Sequence, residues 1–411
     1  MGSLPHIVED CMGVLQLFSD GSVHRCSMKD INFPFPVVHD DSVDFKDVVF
    51  DKKLNISLRL YRPKSHASAT PTNLLPVVFY FHGGGFCVGS RVWPNCHNCC
   101  IRLASGLDAL VVAPDYRLAP EHKLPAALDD AVSAVEWLQR EALMSAGSSG
   151  DCDAWLGGGL VDFDRVYVVG DSSGGNMAHH VAVRLGSGSV KAAPVRVRGY
   201  VLLAPFFGGE ERTKSEEGPP ETFLNLEILD RFWRLSMPKG ESRDHPMVNP
   251  FGPISLSLKE VDLDPILVMV GGNEMLKDRV EIYSRRLKEL GKEIEYVEFD
   301  GQQHGFLTND PYSEVANEAL QPTADRGLSN VSDGVYYTVQ HFDASMAQGR
   351  FWRAHEYFRS IRNIMEGPRS IRNIMEGPRS FRNIMEGLRS FRNIEEGLGS
   401  FRKDREAFGQ L

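Results

Sequence analysis

No apolar run approaches the 18 or more residues that a membrane span requires, so an integral membrane protein is not expected. Nor is there a block of Lys or Arg: 45 basic residues stand against 55 acidic ones, for a formal net charge of -10. Nucleic acid and anionic membrane surfaces are therefore poor partners, and small neutral or apolar molecules fit better. The first residues lack a basic segment leading into an apolar stretch and a small-residue cleavage site, so no secretory leader is expected. His6 stands where N-myristoylation wants Ser or Thr. Cysteine is sparse, with seven scattered through 411 residues. An odd number without a leader suits reduced thiols in the cytoplasm or the nucleus rather than a disulfide framework.

What is present is ordinary globular composition, 42% hydrophobic and 24% charged. The length alone permits two or three domains, and one large α/β domain of about 300 residues equally well. Residues 1–40 read as a helical or irregular lead-in. From Asn55 to Tyr61 apolar and polar residues alternate, which predicts a half-exposed antiparallel strand at a sheet edge. Short apolar runs follow at Val77–Phe81, Leu110–Ala113, Val166–Val169, Tyr200–Leu203, Ile266–Val270 and Glu295–Phe299. Helical stretches such as Ala126–Leu143 and Asp278–Leu290 lie between them, the latter stopped by Gly291. Alternating βαβ units imply a mostly parallel sheet with helices on both faces. Residues 206–245 interrupt the rhythm and read as an insertion forming a lid over the strand ends.

Beyond residue 321 the character changes. Residues 359–401 hold a tandem decapeptide, RSIRNIMEGP twice, then RSFRNIMEGL and RSFRNIEEGL. Gly every ten residues, with Pro in two copies, prevents one continuous helix. The expectation is a domain over 1–321 and a weakly ordered tail over 322–411 without catalytic role.

The sharpest chemical signal is Gly170-Asp171-Ser172-Ser173-Gly174, after a predicted strand and before a helix predicted from Gly174 to Leu185. A strand-to-helix elbow of this kind lifts the middle serine above the sheet as a nucleophile. The helix N-terminus adds free N–H groups and a positive dipole end, which favour a developing oxyanion. The bland reading, a structural or phosphate-binding turn, lacks the companion motifs. The first companion is His82-Gly83-Gly84-Gly85-Phe86, where backbone N–H groups can approach an oxyanion unobstructed, completed by the N–H of Ser173. His82 itself is expected to anchor the loop.

A base and an acid must follow in chain order. His304, in the loop after the last predicted strand, is the candidate base; His179, His180 and His245 are expected to be structural. Glu274, at the end of the strand Ile266–Val270, is the preferred acid, able to accept the His304 Nδ1–H. Asp278, one helical turn further on, is the alternative, with capping or a salt bridge as its plainer role. The cluster Cys96-His97-Asn98-Cys99-Cys100 invites a zinc reading, but no second ligand pair matches it. A buried helix face is expected there, and no metal or organic cofactor.

With these motifs assembled the chain resembles the hormone-sensitive-lipase branch of α/β hydrolases, and within it the plant carboxylesterases. The strings that carry this are HGGGFCVGS at 82–90, DYRLAPEH at 115–122, GDSSGGN at 170–176, Ala204-Pro205-Phe206-Phe207-Gly208-Gly209 and His304-Gly305-Phe306. KDVVFDKKLNISLRLYRP at 46–63 and GGNEMLKDR at 271–279 look most like the carboxylesterase 15 group. The resemblance spans residues from about 5 to 320. It implies an α/β-hydrolase fold, a cap built from residues 1–40 and 206–245, and oxyanion donors at Gly84 and Gly85 with Ser173. It implies architectural roles for Asp115 and Arg117, and as substrates small esters or lactones, butenolides such as strigolactones among them.

Related proteins also use this fold for hormone binding, as gibberellin receptors without the base, or for cyclase chemistry. Two departures stand out. Glu274 occupies a position where the family usually has Asp. The helix begun at Tyr312–Leu320 is cut off by Gln321-Pro322-Thr323, where relatives continue it for another turn or two. An inactive or unstable product is the consequence to be tested.

Overall fold

The computed structural model describes residues 4–319, apart from 32, 35, 65–73 and 148–151. The tail and its decapeptides lie outside the described residues.

The lead-in is not helical: as far as Arg25 it forms a small sheet, and the described residues from Cys26 to Asp40 are irregular. β1 (Ile7–Cys11), β2 (Leu15–Phe18) and β3 (Val23–Arg25) form a three-stranded antiparallel sheet. Its turns explain why. Met12 and Gly13 both have positive φ, the Gly13 N–H is taken by Asp10 Oδ1 at 2.6 Å, and the Val14 N–H donates to Cys11 O at 2.9 Å, which closes a tight hairpin with a three-residue loop. Gly21, at φ 83°, closes the second hairpin, where the Ser22 N–H and hydroxyl both meet Asp20 Oδ1.

The main sheet has eight strands. β4 (Val43–Asp51) and β5 (Ile56–Pro63) pair antiparallel, and β5 pairs antiparallel with β7 (Leu110–Pro114). β6 (Leu75–Phe81), β8 (Val161–Asp171), β9 (Val197–Leu203), β10 (Ile266–Gly271) and β11 (Ile294–Phe299) complete it in the order β11-β10-β9-β8-β6-β7-β5-β4. All pairings from β7 through β11 are parallel. The strand expected at the edge is β5, and it is one place inside it. β4 covers it, and Ile56, Leu58 and Leu60 are buried.

Alternate strand residues serve two apolar cores. Val77, Phe79 and Phe81 face the core shared with α2 (Ala126–Ala146), α3 (Ser173–Gly186) and α5 (Lys277–Glu289). Val78 and Tyr80 face the one built with α1 (Pro94–Leu107), which starts with Pro at its first helical position. The short helices α6 (Phe306–Asn309) and α7 (Glu314–Ala319) join this second core through Phe306, Val315 and Ala319. Arg102 of α1 donates to Asn317 Oδ1 at 2.8 Å, so the last described helix is tied to the body. Gly291, at φ 74°, stands just past α5, where the sequence predicts the stop.

The strand order places the site. From β6 the chain steps to β7, then returns to β8 on the other side of β6 and proceeds outward. The C-terminal ends of β6 and β8 therefore flank the point where the winding reverses, the crevice in which open α/β sheets hold ligands. The insertion folds into loop and α4 (Leu226–Ser236), which Asn225 caps by accepting the Ile228 N–H at 2.9 Å. Glu9 of β1 meets Arg231 at 2.9 Å and Arg234 at 2.7 Å, so the N-terminal sheet and the insertion are joined.

Candidate active site

β6 and β8 are in register, Phe81 opposite Gly170, so the segments that follow them emerge side by side. Ser172 lies at the turn between β8 and α3 with φ 55° and ψ -114°, a conformation costly for any residue with a Cβ. Close packing enforces it. A Cβ on Gly170 would stand 2.0 Å from the Gly174 carbonyl oxygen, and one on Gly174 would stand 1.9 Å from that of Phe81. The Ser172 N–H donates to Leu203 O at 2.8 Å, and its carbonyl accepts from Phe206 at 2.8 Å, which pins the turn on both sides.

The HGGG segment crosses directly in front of this turn. A Cβ on Gly83 would come within 3.2 Å of Ser172 Cβ. Gly84 and Gly85 have φ of 119° and 59°, open to glycine and strained for other residues. Among the described residues, no acceptor takes the N–H of Gly84 or Gly85. Ser173 opens α3, so its N–H also lacks an intrahelical partner. Beneath the turn, Tyr116 donates to His82 O at 2.9 Å, and its ring stacks on His82 at 4.3 Å. His82 is buried, which pushes its imidazole toward the neutral form, as suits a loop anchor. Asp115 accepts the Arg91 N–H at 2.7 Å, and Arg117 makes a bidentate pair with buried Asp130; both are structural.

β10 and β11 are also in register, with Gly271 opposite Phe299, and their following loops carry Glu274 and His304. His304 Nδ1 lies 2.9 Å from Glu274 Oε1. A carboxylate there only accepts, so Nδ1 carries the proton and Nε2 is left as the basic nitrogen. Glu274 is buried, and its other oxygen accepts the Gly271 N–H at 2.9 Å. Burial acts to lower the His304 pKa, but Glu274, with Asp171 and Glu221 behind it, outweighs this and raises it to about 9. The helix that follows His304 docks beside the serine, Thr308 Oγ1 donating to Asp171 Oδ2 at 3.1 Å. Burial raises the Asp171 carboxyl to about 6 against the opposing pull of His304 and Thr308.

Residues 78–308 match the family model described as the alpha/beta hydrolase fold. Probable carboxylesterase 6 of Arabidopsis thaliana is 36% identical over 278 residues, covering 66% of this chain and 77% of the relative. The chain belongs to the α/β-hydrolase family. A 3-O-acetylpapaveroxine carboxylesterase of Papaver somniferum is 35% identical over 68% of this hydrolase and 89% of its own length. A gibberellin receptor of Arabidopsis thaliana is 36% identical over 66% of the chain and 75% of the receptor. Among solved structures, a hyperthermophilic esterase from the archaeon Pyrobaculum calidifontis superposes with a TM-score of 0.55 at 31% identity, over 69% of this chain and 83% of that one. The hydrolase is thus of the carboxylesterase type.

The remaining candidates of this α/β hydrolase take other places. Asp278 does not face His304; its Oδ2 accepts the Ser215 N–H at 2.9 Å and so holds the insertion. His179 is buried against the Tyr283 hydroxyl at 2.9 Å, and His245 Nδ1 accepts the Met247 N–H. Cys96, Cys99 and Cys100 lie on the buried face of α1, and burial pushes the Cys99 and Cys100 thiols well up. Two carboxylates near His304 escaped sequence reasoning. Asp171 sat in plain view inside the elbow motif. Glu221 had no signal, because its partners are main-chain N–H groups of residues 54 and 83 positions away.

Proposed function

We propose that this hydrolase is a serine carboxylesterase acting on small carboxylic esters or lactones through Ser172, His304 and Glu274. Ser172 Oγ attacks the ester carbonyl while His304 Nε2 takes its proton. Glu274 holds the Nδ1–H and stabilises the imidazolium that forms. The N–H groups of Gly84, Gly85 and Ser173 receive the oxyanion. Collapse releases the alcohol, which takes the proton from His304, and leaves an acyl-enzyme. His304 then deprotonates water for the second attack, and the acid departs with Ser172 restored.

The observation that carries this reading is the 2.9 Å contact between His304 Nδ1 and buried Glu274, on loops from adjacent strands beside the serine turn. The substrate class follows from the resemblance of residues 46–63 and 271–279 to the carboxylesterase 15 group, with butenolides such as strigolactones as the finer proposal. Residues 1–321 are proposed as the hydrolase unit and 322–411 as a tail without catalytic role.

Hydrolysis of p-nitrophenyl acetate by the purified chain, beside Ser172→Ala, tests the reading. Wild type is expected to release nitrophenol at least about 10³-fold faster than the variant. Equal rates from two folded proteins would sink the esterase and leave hormone binding, the function named for the receptor relative, as the reading to pursue.

A further inference from the structure

Glu221 lies in the insertion, four residues before the cap of α4, and its carboxylate reaches both loops that carry the acid and the base. Oε2 accepts the His304 N–H at 2.6 Å, and Oε1 accepts the Met275 N–H, next to Glu274, at 2.7 Å. Its own N–H is held by Leu224 O at 2.8 Å, which orients the residue from the insertion side. The neighbouring Thr222 donates through Oγ1 to Gln303 Oε1 at 2.8 Å. The two loops also touch each other, the Asn273 N–H donating to Gln302 O at 2.9 Å. They therefore stay together without Glu221, and what the carboxylate adds is their relation to the insertion and to each other at the reacting end.

Two acceptor oxygens facing two N–H donors is an arrangement that only a carboxylate satisfies fully. Glutamine would turn an NH₂ group toward one of those donors, and aspartate is one methylene short of spanning both. The same charge acts on the base. The carboxylates facing His304 are Glu274, Asp171 and Glu221, and all three favour its imidazolium.

We propose that Glu221 is a positioning residue for ester hydrolysis, a carboxylate clip through which the insertion aligns Glu274 with His304. It touches no reacting atom, and its action runs through the two loops. This rests on His304 being the base.

The test compares wild type, Glu221→Gln, Glu221→Asp and Ser172→Ala as full chains, with p-nitrophenyl acetate from pH 6 to 10. Glu221→Gln is expected to lower kcat by about 10- to 100-fold, the scale of a small misplacement, with KM within about twofold. Its acid limb should also move to lower pH, because one negative charge near the imidazole is gone. Glu221→Asp keeps the charge, so it should lose kcat while holding the acid limb near its wild-type position. Should Glu221→Gln fail to fold, as read by its thermal melt, Glu221→Asp carries the kcat test alone. A wild-type kcat in either folded variant, or an unmoved acid limb in Glu221→Gln, overturns the proposal. Failure of the esterase reading itself appears elsewhere, as undiminished activity in Ser172→Ala.

Discussion

Phe232 of α4 lies over Gly85 of the HGGG turn, its ring filling the space in which a Gly85 side chain would stand, 2.4 Å from such a Cβ. Phe206 stacks on Trp233 at 3.9 Å alongside it, and Phe86 borders both, so the insertion brings an aromatic wall to the proposed oxyanion donors. Phe232→Leu should relieve this wall. We expect the ratio of p-nitrophenyl hexanoate to acetate turnover to rise severalfold, one methylene in an apolar pocket being worth about 1–3 kcal/mol of discrimination. An unchanged ratio would remove Phe232 from the substrate wall.

The pH dependence of hydrolysis has a definite sign. As the proposed base, Nε2 must be unprotonated to act, and the surrounding carboxylates hold the His304 pKa at about 9. The kcat/KM for a neutral ester should therefore climb about tenfold per unit below that value and level off above it. Glu274→Gln should move the acid limb down while lowering kcat by about 10²–10⁴-fold. A profile already flat at pH 7 in the wild type would contradict the charge arrangement.

The same group makes a stability statement. Its pKa rises from 6.5 when unfolded to about 9 when folded, so its contribution is full below about pH 6.5 and is lost as pH climbs through about 9. Asp171 acts oppositely: a buried carboxyl raised from 3.8 to about 6 costs stability once it ionises. Urea midpoints of wild type and His304→Gln across pH 6–10 should converge toward the alkaline end.

Glycine at 170 and 174 is a requirement of distance. Because a Cβ at either position would lie 2.0 Å or less from a main-chain oxygen, Gly170→Ala and Gly174→Ala must displace backbone around Ser172. Each should cost at least the about 1–3 kcal/mol of an overpacked core, and remove most esterase activity even where the fold survives. Far-ultraviolet circular dichroism with an active-site titration separates the two losses.

Much of this was legible in the chain. The apolar runs located β6 to β10 because strands buried on both faces carry no alternation to confuse them, whereas β11 is an edge strand, half-buried and with Glu298 exposed. Gly170–Gly174 and His82–Gly85 announced the turn and the loop, since glycine is demanded by geometry and shows in a sequence as a pattern. Glu274 and His304 could be placed because strand ends converge at one edge of a parallel sheet. Less was visible where short polar turns decide. The N-terminal hairpins depend on Asp10, Met12, Gly13, Asp20 and Gly21, a signal that their mixed surroundings hide. β4 changed the status of β5 because an edge is a property of neighbours, not of a segment.

Arg25 ties the N-terminal sheet to the loops beneath the site. Its guanidinium donates to Cys87 O at 2.6 Å and Ala119 O at 2.8 Å, and forms a bidentate pair with Glu121. Since the Glu121 side of the pair is exposed, the two carbonyls should carry most of its worth, about 1–3 kcal/mol for charge-assisted bonds. Arg25→Ala should lower the urea midpoint accordingly and expose the first 25 residues to limited proteolysis, while Glu121→Gln should change little. Equal losses in the two would place the energy in the ion pair instead.

At Arg25 the decisive acceptors, and at Glu221 both donors, belong to the main chain rather than to side chains. A grip of that kind is indifferent to which side chains the gripped loops display. Residues 87 and 119 can be exchanged without removing the carbonyl that is held, and residue 275 for anything but proline without removing its N–H, so the surroundings of the site can change while the N-terminal sheet and the insertion stay attached. The same indifference leaves little trace of these joints in covariation between positions: Glu221 has no side-chain partner at the two N–H groups it holds, and Arg25 has Glu121 alone beside its two carbonyls.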